Sequence, residues 1–244
     1  MRPCMTLPMT LLDWIAIAVF VLCWAGYATV VDRVPAIRAR SVIAAMDEHR
    51  RRWMRTVPGR ENRIADISII GNLMTSTSFL ANTSIFILGG LVALLGAPDI
   101  GRRVFGAVPF AAVPENPVAW ELRLFLLVFI FVRAFFELTW ALRQFNYCSI
   151  CIGGLGQGPE WTPQANVAAE VANRGARHFN TGLRAYYFGL AGLAWIVHPV
   201  ALILSSILVV SELHRREFRS VVRDALRTPL PAEQAPANPS PDKG

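Results

Sequence analysis

The chain has 244 residues, 54% hydrophobic and only 17% charged, with a net charge of +7. About a quarter of the residues in an ordinary soluble domain are charged, so this composition excludes that class. All but one of the basic residues are arginine, Lys243 being the exception; with no nucleic-acid reader motif in the chain, the excess points to anionic lipid headgroups and not to nucleic acid.

Four apolar runs are long enough to cross a hydrocarbon core of about 30 Å, which takes about 20 helical residues: 11–31, 67–95, 122–145 and 185–213. Strand alternation is absent, and a backbone in lipid must satisfy its own hydrogen bonds, so these are read as helices. The expected fold is an all-α membrane protein, a bundle of about four transmembrane helices with a basic amphipathic helix between the first two. The expected organisation is an N-terminal segment 1–10, a helical transmembrane domain 11–227 and a disordered Pro-rich tail 228–244. The first run is longer than the apolar region of a signal peptide and lacks a small-residue cleavage site, so it is read as a retained helix.

The segment 32–63 holds nine arginines. Within it 41–57 reads as a helix with Ile43, Met46, Met54 and Val57 on one side. Two readings stand: a helix lying on the anionic membrane surface, with headgroups along 33–63, or a solvated helix held by Arg–Glu pairs.

In the second run Ser68, Asn72, Thr75, Ser76, Phe79, Thr83 and Phe86 share one face at the helical period. Polar and small side chains on membrane helices pack against other helices, so this face is expected to meet the rest of the bundle. The sharper reading is a polar path for water or ions. The segment 96–119 is a Pro-containing loop whose apolar stretch, VFGAVPFAAV, is too short to span.

The third run contains VFIFVRAFFELTW at 128–140. Arg133 and Glu137 lie at i, i+4 and can meet on one face, which Trp140 and Gln144 continue. A lone charge at the bilayer centre costs about 2.5–3.5 kcal/mol on insertion scales, so the pair is expected to face protein and to neutralise itself. A structural pin and an element of a proton or ion path are the two readings. CSIC at 148–151 is a single Cys-x-x-Cys with neither a second pair nor a nearby His, and is read as ordinary small residues at a helix end.

A Gly-rich loop at 153–159 and a short helix at 163–177 precede the fourth run. There Tyr186 and Tyr187 mark an interface, Gly189 and Gly192 offer close packing, and Pro199 is expected to kink one long helix beside His198. His198 is read as a packing residue before a ligand. A basic helical stretch follows at 214–227.

Charge bias then conflicts with the count of crossings. The arginines of 32–63 and those at 143, 174, 177 and 184 favour one side, the cytoplasm. The arginines of 215–227 favour it too, but three crossings separate them from the first loop. The larger bias of the first loop places both termini outside.

RRRWM at 50–54, RENRIADISIIGNL at 60–73, WELRLFLLVFIFVRAFFELTWALRQFNYCSI at 120–150, RHFNTGLRAYYFGLA at 177–191 and RREFRS at 215–220 resemble the bacterial branch of the domain of unknown function 599 family. The resemblance implies a multi-pass protein of the bacterial inner (plasma) membrane, with no assigned activity and no catalytic residues to carry over. Arg143, Asn146, Arg184 and Tyr187, at helix ends, belong to its recognisable core and are expected at the interface; Arg133 and Glu137 do not, which favours local structure for that pair.

No nucleophile motif, paired His spacing, metal-ligand pattern or cofactor motif is present. A membrane-embedded scaffold or assembly factor therefore ranks first, a small oligomeric channel or transporter using the polar face of the second helix comes next, and a lipid-acting enzyme ranks last. Asn72, Ser76, Thr83, Arg133, Glu137, Gln144 and His198 are the candidate path or packing residues. The expected partners are the lipid bilayer and further copies of the chain.

Overall fold

The computed structural model describes residues 9–109, 111–114 and 116–227. The tail 228–244 and most of the segment 1–10 lie outside the described residues. Every regular element among those described is helical. They are α1 (Leu11–Arg33), α2 (Pro35–Arg38), α3 (Val42–Thr56), α4 (Ile64–Gly96), α5 (Pro98–Gly106), α6 (Pro117–Gly153), α7 (Thr162–Val197), α8 (Pro199–Phe218) and α9 (Val221–Arg227). Three helices, α1, α4 and α6, are long and apolar enough to cross a membrane.

Local chemistry sets the helix starts. Thr10 and Asp13 form a reciprocal capping box at α1, which satisfies backbone donors that a bare helix end leaves unpaired. Asn116 caps α6 with Pro117 in its first turn, where the missing N–H of proline is no loss. Inside α1 the turn at Leu22–Gly26 widens to π geometry. At the other end of α6 the Arg63 guanidinium, from just before α4, donates to the carbonyls of Ile152 (3.3 Å), Leu155 and Gly156 (2.6 Å). A cation there satisfies orphan carbonyls and complements the negative end of the helix dipole.

α6 and α7 form the centre, antiparallel and closely apposed. A Cβ added at Gly175 would come within 2.8 Å of Phe145, at Gly182 within 2.9 Å of Leu138, and at Gly189 within 2.7 Å of Phe131. These glycines recur every seven residues, the period of a seam that stays facing its partner. α4 packs on α6, α8 on α7, and α1 on α8. Phe20 of α1 meets Phe188 of α7 edge-on at 5.8 Å, and Trp24 stacks on the same ring at 6.2 Å.

The expected kinked fourth helix is not formed. α7 is continuous from Thr162, absorbing the predicted short helix 163–177, and the chain reverses at His198. His198 is in extended backbone geometry, and its ring Nδ1 accepts the Val200 N–H at the start of α8. The reversal is fixed by Ser205, whose hydroxyl donates to the Ala191 carbonyl at 3.0 Å; on a straight helix these residues would be about 20 Å apart. Proline starts a new helix readily, and here it opens the second arm of a hairpin.

The molecule thus has two ends. One gathers the start of α1, the start of α6 and the α7–α8 turn: Ala112 donates to the Val197 carbonyl at 2.7 Å, and Asp13 meets Arg123 and Trp195. The other gathers the end of α1, α3, the start of α7 and the end of α8: Asp32 pairs with Arg184, Glu217 accepts from the Ile43 N–H, and His49 meets the Leu226 carbonyl. We call the second the arginine-rich end. The first described residues, at the start of α1, and the last, in α9, lie at opposite ends.

Candidate functional site

The polar face of α4 is the first surprise. Ser68, Asn72, Thr75, Ser76, Phe79 and Phe86 are exposed and Thr83 is half-buried. The buried side is Asp66, Ile70, Thr77, Ala81, Ser84 and Leu91, which at about 100° per residue lies nearly opposite the polar stripe. So most of the face expected to pack on the bundle points away from it, with Ser76 of the stripe lining a cavity with α3, α6 and α7 side chains. The hydroxyls of Thr75, Ser76 and Thr83 donate to carbonyls one turn back, at 3.0, 3.0 and 2.7 Å, and need no outside partner. The amides of Asn72 and Asn82 find no hydrogen-bond partner among the described residues.

Arg133 and Glu137 meet as their spacing anticipates, at 2.9 Å. A third member joins them: the His178 ring Nδ1 lies 2.8 Å from the other Glu137 oxygen. Trp140 stands edge-on to His178, and Arg143 covers the Trp140 and Tyr147 rings at 5.5 and 5.7 Å. A shallow cleft of about 370 Å³ opens between these groups. Glu137 faces α7 through His178, whereas the Arg133 side chain is half-exposed, so protein does not enclose the pair as expected. Gln144 lies with its Cβ beside Gly175, and Asn146 is exposed on the lower part of α6. Tyr187 is half-buried, and His198 is spent on capping. The α4 stripe is not brought together with Arg133 and Glu137; between α4 and α6 the arginine-poor end is packed with Leu91, Leu124 and Leu127, while towards the other end a cavity of about 260 Å³ opens beside Ser76, Thr77 and Phe145.

Two polar clusters escape sequence reasoning. At the arginine-poor end Arg123 donates to Asp13 at 2.9 Å and to the Trp195 and Ala112 carbonyls at 2.9 and 3.2 Å. Asp13 also accepts from the Trp195 indole at 2.9 Å and the Thr10 hydroxyl at 2.6 Å. Both charged side chains are almost fully buried. The available signal is one lone charge near the start of each of two apolar runs, opposite in sign and two crossings apart. At the arginine-rich end α3 lies against α7: Arg50 donates to Asp47 at 2.6 Å and Asn173 at 2.7 Å, with Met54 buried below. Burial pulls the Arg50 guanidinium below its ordinary pKa, and its hydrogen bond with Asp47 opposes that pull; arginine starts so far above neutrality that it stays charged. The apolar side of α3 is therefore covered by protein, and its outward side carries Arg52 and Arg55.

Cys148 is buried, Cys151 half-buried, and both are free thiols on α6. Among the described residues no three His, Cys, Asp or Glu side chains gather as metal ligands.

This arrangement defines a class: a multi-pass helical membrane protein. Residues 15–222 match the family described as "Protein of unknown function, DUF599", and the chain belongs to that family. No curated protein and no solved structure matches it.

Proposed function

We propose that the protein is a membrane-embedded assembly protein that crosses the bilayer five times and pairs with a second copy of itself through the outward face of α4. The α7–α8 hairpin supplies the fifth crossing: its tip lies beside Asp13 and Arg123, at the same end as the starts of α1 and α6. An odd count puts the arginines of 32–63, 174–184 and 215–227 on one side, the cytoplasmic side by the positive-inside rule. The setting we propose is the inner (plasma) membrane of a bacterium, on the strength of the family resemblance.

The observation that carries the reading is the α4 stripe, set opposite the helix's own packing side. Phe79 and Phe86 are 69% and 80% exposed beside Asn72, Ser76 and Thr83, a mixture suited neither to lipid nor to water. A second copy suits it. Copies inserted in the same sense run parallel, so α4 meets α4 with Asn72 opposite Asn72, and an amide both donates and accepts. Small side chains let the backbones approach.

The test is the mass of the purified protein in lipid nanodiscs and in dilute detergent. The wild type is expected to be dimeric, and Asn72→Leu with Ser76→Leu to weaken association about tenfold, the scale of 1–2 kcal/mol for interhelical polar contacts. A wild type that stays monomeric at every concentration refutes the proposal. The second reading, a channel or transporter, draws on the same polar face: Ser76 and Thr77 of α4 line a cavity of about 260 Å³ with Arg50, Asn180 and Glu217, and several copies around α4 would extend it into a path. Ion flux through liposomes that is lost in Asn72→Leu would put that reading first.

A further inference from the structure

At the arginine-rich end a cavity of about 200 Å³ opens between the end of α1, α2, the start of α3 and the middle of α7. Its lining sets three arginines, Arg38, Arg177 and Arg184, against one acid, Asp32, with Asn180 and Thr181 as neutral polar groups. Arg184 is only 8% exposed. Its Nη2 donates to both Asp32 oxygens, at 2.8 and 2.7 Å. Its Nε and Nη1 are buried without a hydrogen-bond partner among the described residues. A buried, charged donor left unpaired is costly, and the residue that carries these two also lines the cavity.

The neighbouring charges are also incompletely matched. Arg38 and Arg177 approach the Asp47 carboxylate only at 3.4 and 3.7 Å, while Arg50 already holds it at 2.6 Å. Arg177 reaches Glu170 with its other nitrogen at 2.8 Å. The start of α3, a 15-residue helix capped by Ser41, faces the same space and adds its positive dipole end. Glu217 is the one acid at that helix start, accepting from Ile43.

We infer that this cavity binds a phosphate-bearing anion held by Arg38, Arg177 and Arg184. Guanidinium groups bind phosphate through paired N–H donors, and a phosphate has enough oxygens to engage more than one arginine together. The level of the site fits a headgroup: the apolar run 11–31 is about 30 Å long, the thickness of the hydrocarbon core, and Asp32 follows it directly. The phosphate of an acidic phospholipid and free inorganic phosphate share this chemistry. No residue of α4 lines the cavity, so the inference stands apart from self-association.

The experiment uses the full chain in micelles of an uncharged, phosphate-free maltoside detergent, followed by tryptophan-detected melting and by native mass spectrometry of retained lipid. Phosphatidylglycerol, phosphatidate and inorganic phosphate are added separately, with chloride as the control anion. At least one phosphate source is expected to raise the melting temperature. Arg38→Gln and Arg177→Gln should each weaken that response about tenfold, and Arg184→Lys, which keeps the charge and loses the fork, should weaken it too. Arg38 lies at the cavity's edge, so its variant reads the site even if changes at Arg184 impair folding. A response to phospholipid without one to inorganic phosphate assigns the site to lipid; a response to inorganic phosphate assigns it to the free anion. Folded protein that responds to none of the three, or Arg38→Gln and Arg177→Gln variants that respond like the wild type, overturns the inference.

Discussion

Asp13 and Arg123 lie 110 residues apart and share a buried hydrogen bond that joins α1 to α6. The two charges do not by their presence make the fold stable, because removing them from water costs about what their attraction returns. What they impose is mutual dependence. Arg123→Met leaves the Asp13 carboxylate buried with only the Trp195 indole and Thr10 as partners, and is expected to destabilise the protein by about 3–5 kcal/mol. The double change Asp13→Leu with Arg123→Met should recover most of that loss. Thermal unfolding in detergent checks both, and additive losses would show that the two charges act independently. The Arg133–Glu137 pair differs, since Arg133 is half-exposed and its guanidinium is not enclosed by other helices. The sequence shows this half-exposed pair more plainly than the buried one. Four residues on one helix announce a contact, whereas Asp13 and Arg123 meet only once three helices have been assembled.

The helices themselves are legible because long apolar runs leave the backbone one solution. Their faces are not equally legible. Small and polar residues on α4 signal a protein contact, but periodicity carries no information about which protein, and most of the stripe turns out to face away from its own bundle. The seam between α6 and α7 was half visible. Gly189 is in the apolar run, while Gly175 and Gly182 sit among Arg174, Arg177 and Arg184 and read as part of a polar segment. Their role follows from distance: an added Cβ at Gly182 would lie 2.9 Å from the branch point of Leu138 and 3.3 Å from the Ala134 carbonyl. That carbonyl belongs to a helix backbone and cannot step aside. Gly182→Val should therefore separate the two central helices, costing about 1–3 kcal/mol as overpacking does. Gly153→Val, at the end of α6 with open space beside it, is the control. Equal melting temperatures for the two variants would mean that the seam yields freely.

At the scale of the whole chain, the sequence poses a question of parity, and the proposed five-crossing layout answers it through the hairpin. With 185–213 as one kinked helix, the arginines of 215–227 must lie across the membrane from those of 32–63. With the chain reversed at His198, every arginine-rich stretch falls at one end, and Arg102 and Arg103 remain at the other with the buried Arg123. Proline after histidine is compatible with a kink or a reversal. The difference is made by tertiary contacts, Ser205 to Ala191 and Asp13 to Trp195, which no local pattern encodes. The two layouts predict opposite chemistry for an exposed residue near the C-terminal end. In a variant with Cys4, Cys23, Cys148 and Cys151 replaced by serine, single cysteines at Arg40, Ala107 and Arg219, all exposed positions, are treated with a membrane-impermeant maleimide on intact cells. Ala107→Cys is expected to react from outside, while Arg40→Cys and Arg219→Cys react only after the membrane is opened. Reaction of Arg219→Cys together with Ala107→Cys would restore the kinked helix and an even number of crossings. Reaction at Arg40 and Arg219 alone would keep the hairpin and invert the molecule, placing its arginines and the anion cavity outside, against the charge bias of the entire sequence.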